Sequence, residues 1–148
     1  MIYTERTKKA LQISFDAHKD QVDKSNLPYV YHPFHVAEQM TDETSTIVAL
    51  LHDVVEDTDV TMTDIENYGF SKEIIDALKC MTHEESVDYY DYIKIVATNP
   101  IAIKVKLADI EHNMDTNRLN EITKKDLERV EKYKKCYKYL VEKQKEFK

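Results

Sequence analysis

One glycine and three prolines in 148 residues give this chain few places to reverse direction sharply. Hairpins rely on Gly and Pro for backbone angles that other residues adopt only at a cost. A sheet of short antiparallel strands is therefore disfavoured. Apolar residues instead recur every three or four positions along nearly the whole chain, the period of a helix with one buried face. The sequence predicts an all-α fold: a single compact multi-helix domain over residues 1–148.

Helix boundaries are written in the capping residues. Thr4 is placed to cap a helix reaching about His18, and a polar loop, KDQVDKSNLPY, follows. Pro33 suits the first turn of the next helix, which puts His32 at that helix's start. Asp42 is expected to cap a third helix running through Ile47, Val48, Leu51 and Val55. Gly69 closes a short helix, Ser71 opens the next, and Asn99-Pro100 begins one carrying Ile103, Val105, Leu107, Ala108 and Ile110. Thr123 with Asp126 opens a long C-terminal helix from about 123 to 147, with Val130, Tyr133, Tyr137 and Leu140 as its apolar stripe.

Charge and cysteine content narrow the function. The net charge of −7 argues against nucleic acid as the main partner, since phosphate backbones are bound by surplus Lys and Arg. No apolar run approaches the ~18 residues of a membrane span, and the N-terminus lacks a signal-peptide core. Cys80 and Cys136 make no disulfide framework, and they are expected to be reduced thiols in a cytoplasmic protein. A small anionic ligand is compatible with this composition if something local and positive, such as a metal ion, offsets the acidic field. The oligomeric state is not legible.

The stretch LLHDVVEDT, positions 50–58, sets His52, Asp53, Glu56 and Asp57 among Leu50, Leu51, Val54 and Val55. On one continuous helix His52 would lie above Glu56 and Asp53 above Asp57, in two polar stripes with apolar flanks. Charges held beside a core need partners. The chain has only three arginines, Arg6, Arg118 and Arg129, all distant in sequence, and lysine remains open as a partner. A bound cation would satisfy several of these groups at once. Asp109 and Asn113 stand four apart in KLADIEHNM, and His32 stands at its helix start. His32, His52, Asp53 and Asp109 together form a mixed nitrogen–oxygen set, which suits Mn²⁺, Fe²⁺ or Zn²⁺ better than Ca²⁺.

The H…HD…D order of these residues resembles the HD-domain metal-dependent phosphohydrolases. The blocks PYVYHPFHVA, LLHDVVEDTDVT and VKLADIEHNM resemble more closely the hydrolase domain of the RelA/SpoT proteins and their small stand-alone relatives, over about residues 5 to 120. That resemblance implies removal of the 3′ pyrophosphate from (p)ppGpp; a synthetase activity is not implied by it. It makes His32, His52, Asp53 and Asp109 ligands of Mn²⁺, and Glu56 and Asp57 the pair acting on the attacking water and the leaving group. Asn113 matches an asparagine close to the substrate, and Lys24 is a further candidate contact for phosphate. Where the family carries a basic pair before the PY motif, this chain reads Val22-Asp23-Lys24, an acid at the first basic position. A phosphatase of another nucleotide, such as NADPH or a nucleoside phosphate, and a non-catalytic nucleotide sensor are the competing readings.

Other polar residues have plainer expectations. His18, His35 and His112 are read as structural, His112 at most as a support for a ligand. His83 lies in a loop that could overhang the site. Lys104 and Lys106 are read as solvated lysines, and Tyr89 and Tyr92 as core.

Overall fold

The computed structural model describes residues 1–147; Lys148, the last position of the expected domain, lies outside the described residues. The helices are α1 (Glu5–His18), α2 (Tyr31–Glu38), α3 (Glu43–Leu51), α4 (Val54–Asp57), α5 (Met62–Asn67), α6 (Lys72–Met81), α7 (Tyr89–Val96), α8 (Pro100–Met114) and α9 (Lys124–Lys145). Among the described residues there is no β-strand, only an isolated antiparallel bridge between Val22 and Pro28.

The caps are those the sequence specifies. Thr4 and Thr123 each form a capping box with the residue three positions on, as does Thr61 ahead of α5. Asp42, Ser71 and Asn99 accept backbone N–H bonds at the starts of α3, α6 and α8. Gly69 has φ +85°, the left-handed angle a helix terminator needs.

Helix α3 is the axis of the molecule. Every residue from Ser45 to Val54 is buried, because α1, α2, α6 and α8 surround it. Helix α8 is nearly as enclosed, with Val105 through Ile110 all buried and α9 laid along it. A helix apolar on all sides must sit in the interior, and two such helices side by side bring their polar exceptions together.

The loop between α1 and α2 makes a tight reversal without glycine. Asn26 takes φ +63°, an angle Asn tolerates better than most residues. Asp23 braces the turn through its carboxylate, accepting the N–H groups of Ser25 at 2.8 Å and Leu27 at 3.0 Å.

One boundary differs from expectation. The third helix does not continue to Val55: it ends at Leu51, and α4 is a separate single turn. Asp53 sits at φ −98°, ψ −6°, in the sparsely populated bridge region where the helical ladder is interrupted. His52 and Asp53 thus occupy the corner between two helices, with Asp53 keeping its four-residue relation to Asp57, whose N–H donates to the Asp53 carbonyl at 3.0 Å.

Candidate active site

Three elements deliver the four residues of the site. His32 comes from the first turn of α2, His52 and Asp53 from the corner after α3, and Asp109 from the middle of α8. All four side chains are buried, and their donor atoms lie within 4.8 Å of one another. His32 Nε2 is 2.7 Å from Asp109 Oδ1 and 3.5 Å from Asp53 Oδ2. His52 Nε2 is 3.2 Å from Asp53 Oδ2 and 3.4 Å from Asp109 Oδ1. Donors that share one ion through bonds of roughly 2.0–2.2 Å stand about 3 Å apart, so the spacing of this set is compatible with a divalent cation.

The ring of His52 is oriented by the main chain. Its Nδ1 donates to the carbonyl oxygen of Ala49 at 2.5 Å. A carbonyl can only accept, so Nδ1 carries a proton and Nε2 faces the carboxylates. Nε2 is buried and makes no well-directed hydrogen bond, although Asp53 Oδ2 and Asp109 Oδ1 lie 3.2 and 3.4 Å away. An orphaned nitrogen among carboxylate oxygens is expected where a cation binds, because burial without a partner is costly.

Electrostatics divide the carboxylates. Burial would raise Asp53, but His52 and His32 outweigh it and hold the group down at about 2. Burial likewise opposes ionisation of Asp109, yet Lys106 above all, with His32 and His52, keeps it well below the usual range. The same pull works in reverse on His52, which burial would lower but Asp53 and Asp109 raise well above an ordinary histidine. A cation competes with that proton, as ligation to deprotonated groups requires.

Glu56 and Asp57 flank the cluster on its exposed side, where they form a second acidic group with Asp53. Both carboxyls are raised, by burial first and by the Asp53 charge. The backbone N–H of His83 donates to Glu56, so the loop after α6 does overhang the site. That loop is held closed by His83 itself, whose Nε2 bonds Val87 O at 2.6 Å while its ring stacks on Tyr92 at 4.6 Å.

A cleft of about 400 Å³ opens beside His32, lined among others by Lys24, Tyr29, Asn113, Arg118 and Arg129. Lys24 is exposed at its rim. Asn113 lines the cleft and also donates to Asp109 Oδ1 at 3.2 Å, which steadies that carboxylate. Asp23 does not stand there as an unopposed negative charge, because Arg118 Nη1 lies 3.3 Å from its carboxylate. Two of the three arginines therefore reach this cleft from beyond α8, a convergence invisible in sequence.

Three residues matter more than the sequence suggested. Lys106 is not a solvated lysine: it is buried, 2.7 Å from Asp109 Oδ2, with its ammonium 5.2 Å from the centre of the Tyr92 ring. Its three-residue spacing from Asp109 on one helix was the available signal. Tyr29 donates its hydroxyl to Asp53 Oδ2 at 2.7 Å, and burial followed by that carboxylate keeps the phenol protonated. His112 places Nδ1 2.7 Å from Nδ1 of His32.

No protein-family model matches the chain. Individual relatives do. The bifunctional (p)ppGpp synthase/hydrolase SpoT of Escherichia coli (strain K12) is 32% identical over 126 positions, covering 75% of this chain and 18% of that protein. The guanosine-3′,5′-bis(diphosphate) 3′-pyrophosphohydrolase of Haemophilus influenzae (strain ATCC 51907 / DSM 11121 / KW20 / Rd) is 37% identical over 118 positions, covering 70% and 17%. A solved structure described as a metazoan ortholog of SpoT that hydrolyzes ppGpp matches with a TM-score of 0.74 and 27% identity, over 97% of this chain and 88% of that one. The chain is an HD-domain, SpoT-like protein. It spans less than a fifth of the length of the curated relatives it matches. Among its described residues, no helix is long and apolar enough to cross a membrane.

Proposed function

We propose that this HD-type unit is a metal-dependent 3′-pyrophosphohydrolase of (p)ppGpp. The observation that carries the proposal is the orphaned, buried Nε2 of His52, set among the oxygens of Asp53 and Asp109 and the ring of His32. Similarity to hydrolases of this nucleotide supports the substrate. In this reading His32, His52, Asp53 and Asp109 hold a divalent cation, Mn²⁺ in preference to Fe²⁺ or Zn²⁺. Such an ion supplies Lewis-acid stabilisation of phosphoryl charge and a lowered pKa for water.

The chain's own groups do the rest. Glu56 is oriented by the His83 N–H and made more basic by burial and Asp53, and it takes the proton from the attacking water. Water adds to the phosphorus attached to the ribose 3′ oxygen, and that O–P bond breaks. Asp57, also raised, returns a proton to the departing 3′ oxygen, giving GDP and pyrophosphate from ppGpp. Asn113 and Lys24 border the cleft where ribose and phosphate lie.

The test is to incubate the protein with Mn²⁺ and a nucleotide panel containing ppGpp, NADPH and nucleoside phosphates, then separate the products by ion exchange. Pyrophosphate and GDP from ppGpp, cut by about 10²–10⁴-fold in Glu56→Gln with Mn²⁺ affinity retained, is the expected result. Orthophosphate from another nucleotide, with ppGpp untouched, would overturn the substrate assignment. Binding without turnover of any nucleotide would make the protein a sensor.

A further inference from the structure

The two histidines of the cluster are oriented by different kinds of partner. His52 leans on the Ala49 carbonyl, which can only accept, so its proton arrangement is set by the main chain. His32 leans on another imidazole. Its Nδ1 is 2.7 Å from Nδ1 of His112, and the two ring planes are within 9° of parallel. An imidazole nitrogen can donate or accept, so geometry alone allows two arrangements of one shared proton.

The arrangements have opposite consequences at the cluster. If His112 donates, neutral His32 carries its proton on Nε2 and points it at Asp109 Oδ1, 2.7 Å away. Its Nε2 then has no lone pair for a cation. If His112 accepts, the proton sits on His32 Nδ1 and the Nε2 lone pair faces the carboxylates.

We propose that His112 is a positioning residue: by accepting at Nδ1, it holds His32 in the tautomer and ring orientation that can ligate a cation. The surroundings fit that task. His112 is one turn from Asp109 on α8, so a single helix carries both a carboxylate of the cluster and the partner of an imidazole of the cluster. It is buried, its ring is covered by that of His35 at a centroid distance of 4.1 Å, and its carbonyl accepts from Arg118 at 3.4 Å. Partners of this kind fix the tautomer and raise the basicity of a ligating histidine. The inference rests on the metal reading above.

Three substitutions separate orientation from packing, with Mn²⁺ affinity measured by titration calorimetry and metal-free melting as the control. His112→Phe keeps the ring and removes the acceptor; Mn²⁺ affinity should fall about 10- to 100-fold. His112→Asn puts an amide oxygen close to the place of Nδ1, and should recover affinity to within about threefold of the unsubstituted protein, because an acceptor is restored. His112→Gln places its oxygen near the position of Nε2 and should not recover it. If Phe binds Mn²⁺ as tightly as the unsubstituted protein, or Asn and Phe lose affinity equally, His112 is only packing and the inference is overturned. If the unsubstituted protein does not bind Mn²⁺, the metal reading itself is wrong and both fall together.

Discussion

Replacing Lys106 by Met should be among the most destabilising single substitutions in the metal-free protein. The ammonium lies 2.7 Å from Asp109 Oδ2, and the two residues are only 8% and 3% exposed. At that distance the gross attraction is about 6 kcal/mol for an effective dielectric of about 20. Desolvating the two ions consumes most of it, so the pair adds little net stability. Deleting one partner is another matter, because a buried carboxylate is then left without its counter-charge, at a cost of about 3–5 kcal/mol. The lower end is expected here, since His32 and Asn113 still contact Asp109 Oδ1. Against a total stability of about 5–15 kcal/mol that loss is large. Lys106→Met combined with Asp109→Asn removes both charges and should cost less than Lys106→Met alone. The assay is urea denaturation followed by circular dichroism, with chelator present throughout. A single-variant cost below about 1 kcal/mol, or a double variant less stable than the single, would refute the reasoning, since an unpaired buried carboxylate is expected to be expensive.

Tyr29→Phe removes only the hydroxyl that donates to Asp53, and should lower metal-free stability by about 1.5–3 kcal/mol, the range for a hydrogen bond to a charged group; urea midpoints at fixed pH check this. Arg118→Ala leaves Asp23 unopposed in the cleft, so KM for an anionic nucleotide should rise roughly ten- to a hundredfold with kcat nearly unchanged; steady-state kinetics separate the two parameters. Metal-free stability should peak near pH 6.5. His52 is raised above 6.5, so its stabilising contribution is complete below that pH and is lost as pH rises through its folded value. His112 is lowered from 6.5 to about 4, mainly by burial, so its contribution is complete above 6.5 and lost as pH falls towards 4. Mn²⁺ affinity should climb over the range in which His52 gives up its proton. Melting in chelator and calorimetry with Mn²⁺ across pH 5.5–8.5 would show both trends, and affinity that is flat with pH would contradict the role given to His52.

Much of this protein is local and so was legible. The caps at Thr4, Asp42, Ser71, Asn99 and Thr123 act on N–H groups two or three residues away, and each appears where the sequence places it. Apolar periodicity specified α-helices, because the side chains sharing a face are set by the helical repeat itself. The convergence of His32, His52, Asp53 and Asp109 was also expected, since polar residues on helices otherwise built to be buried need a common partner. Tertiary structure decided the rest. The corner at His52-Asp53, where Asp53 takes φ −98° and ψ −6°, carries no Gly or Pro to announce it in the sequence. A lysine is ordinarily solvated, and the reach of Lys106 to Asp109 is local, three residues along α8; what encloses it is tertiary, with Tyr89 and Tyr92 of α7 packed beside its ammonium. Arg118 meets Asp23 across 95 residues of chain, and His112 meets His32 across 80. No local rule pairs positions so far apart. The His112–His32 contact exists because α2 packs against α8, and the polar side chains these helices carry inward meet at that seam, where the chemistry assembles.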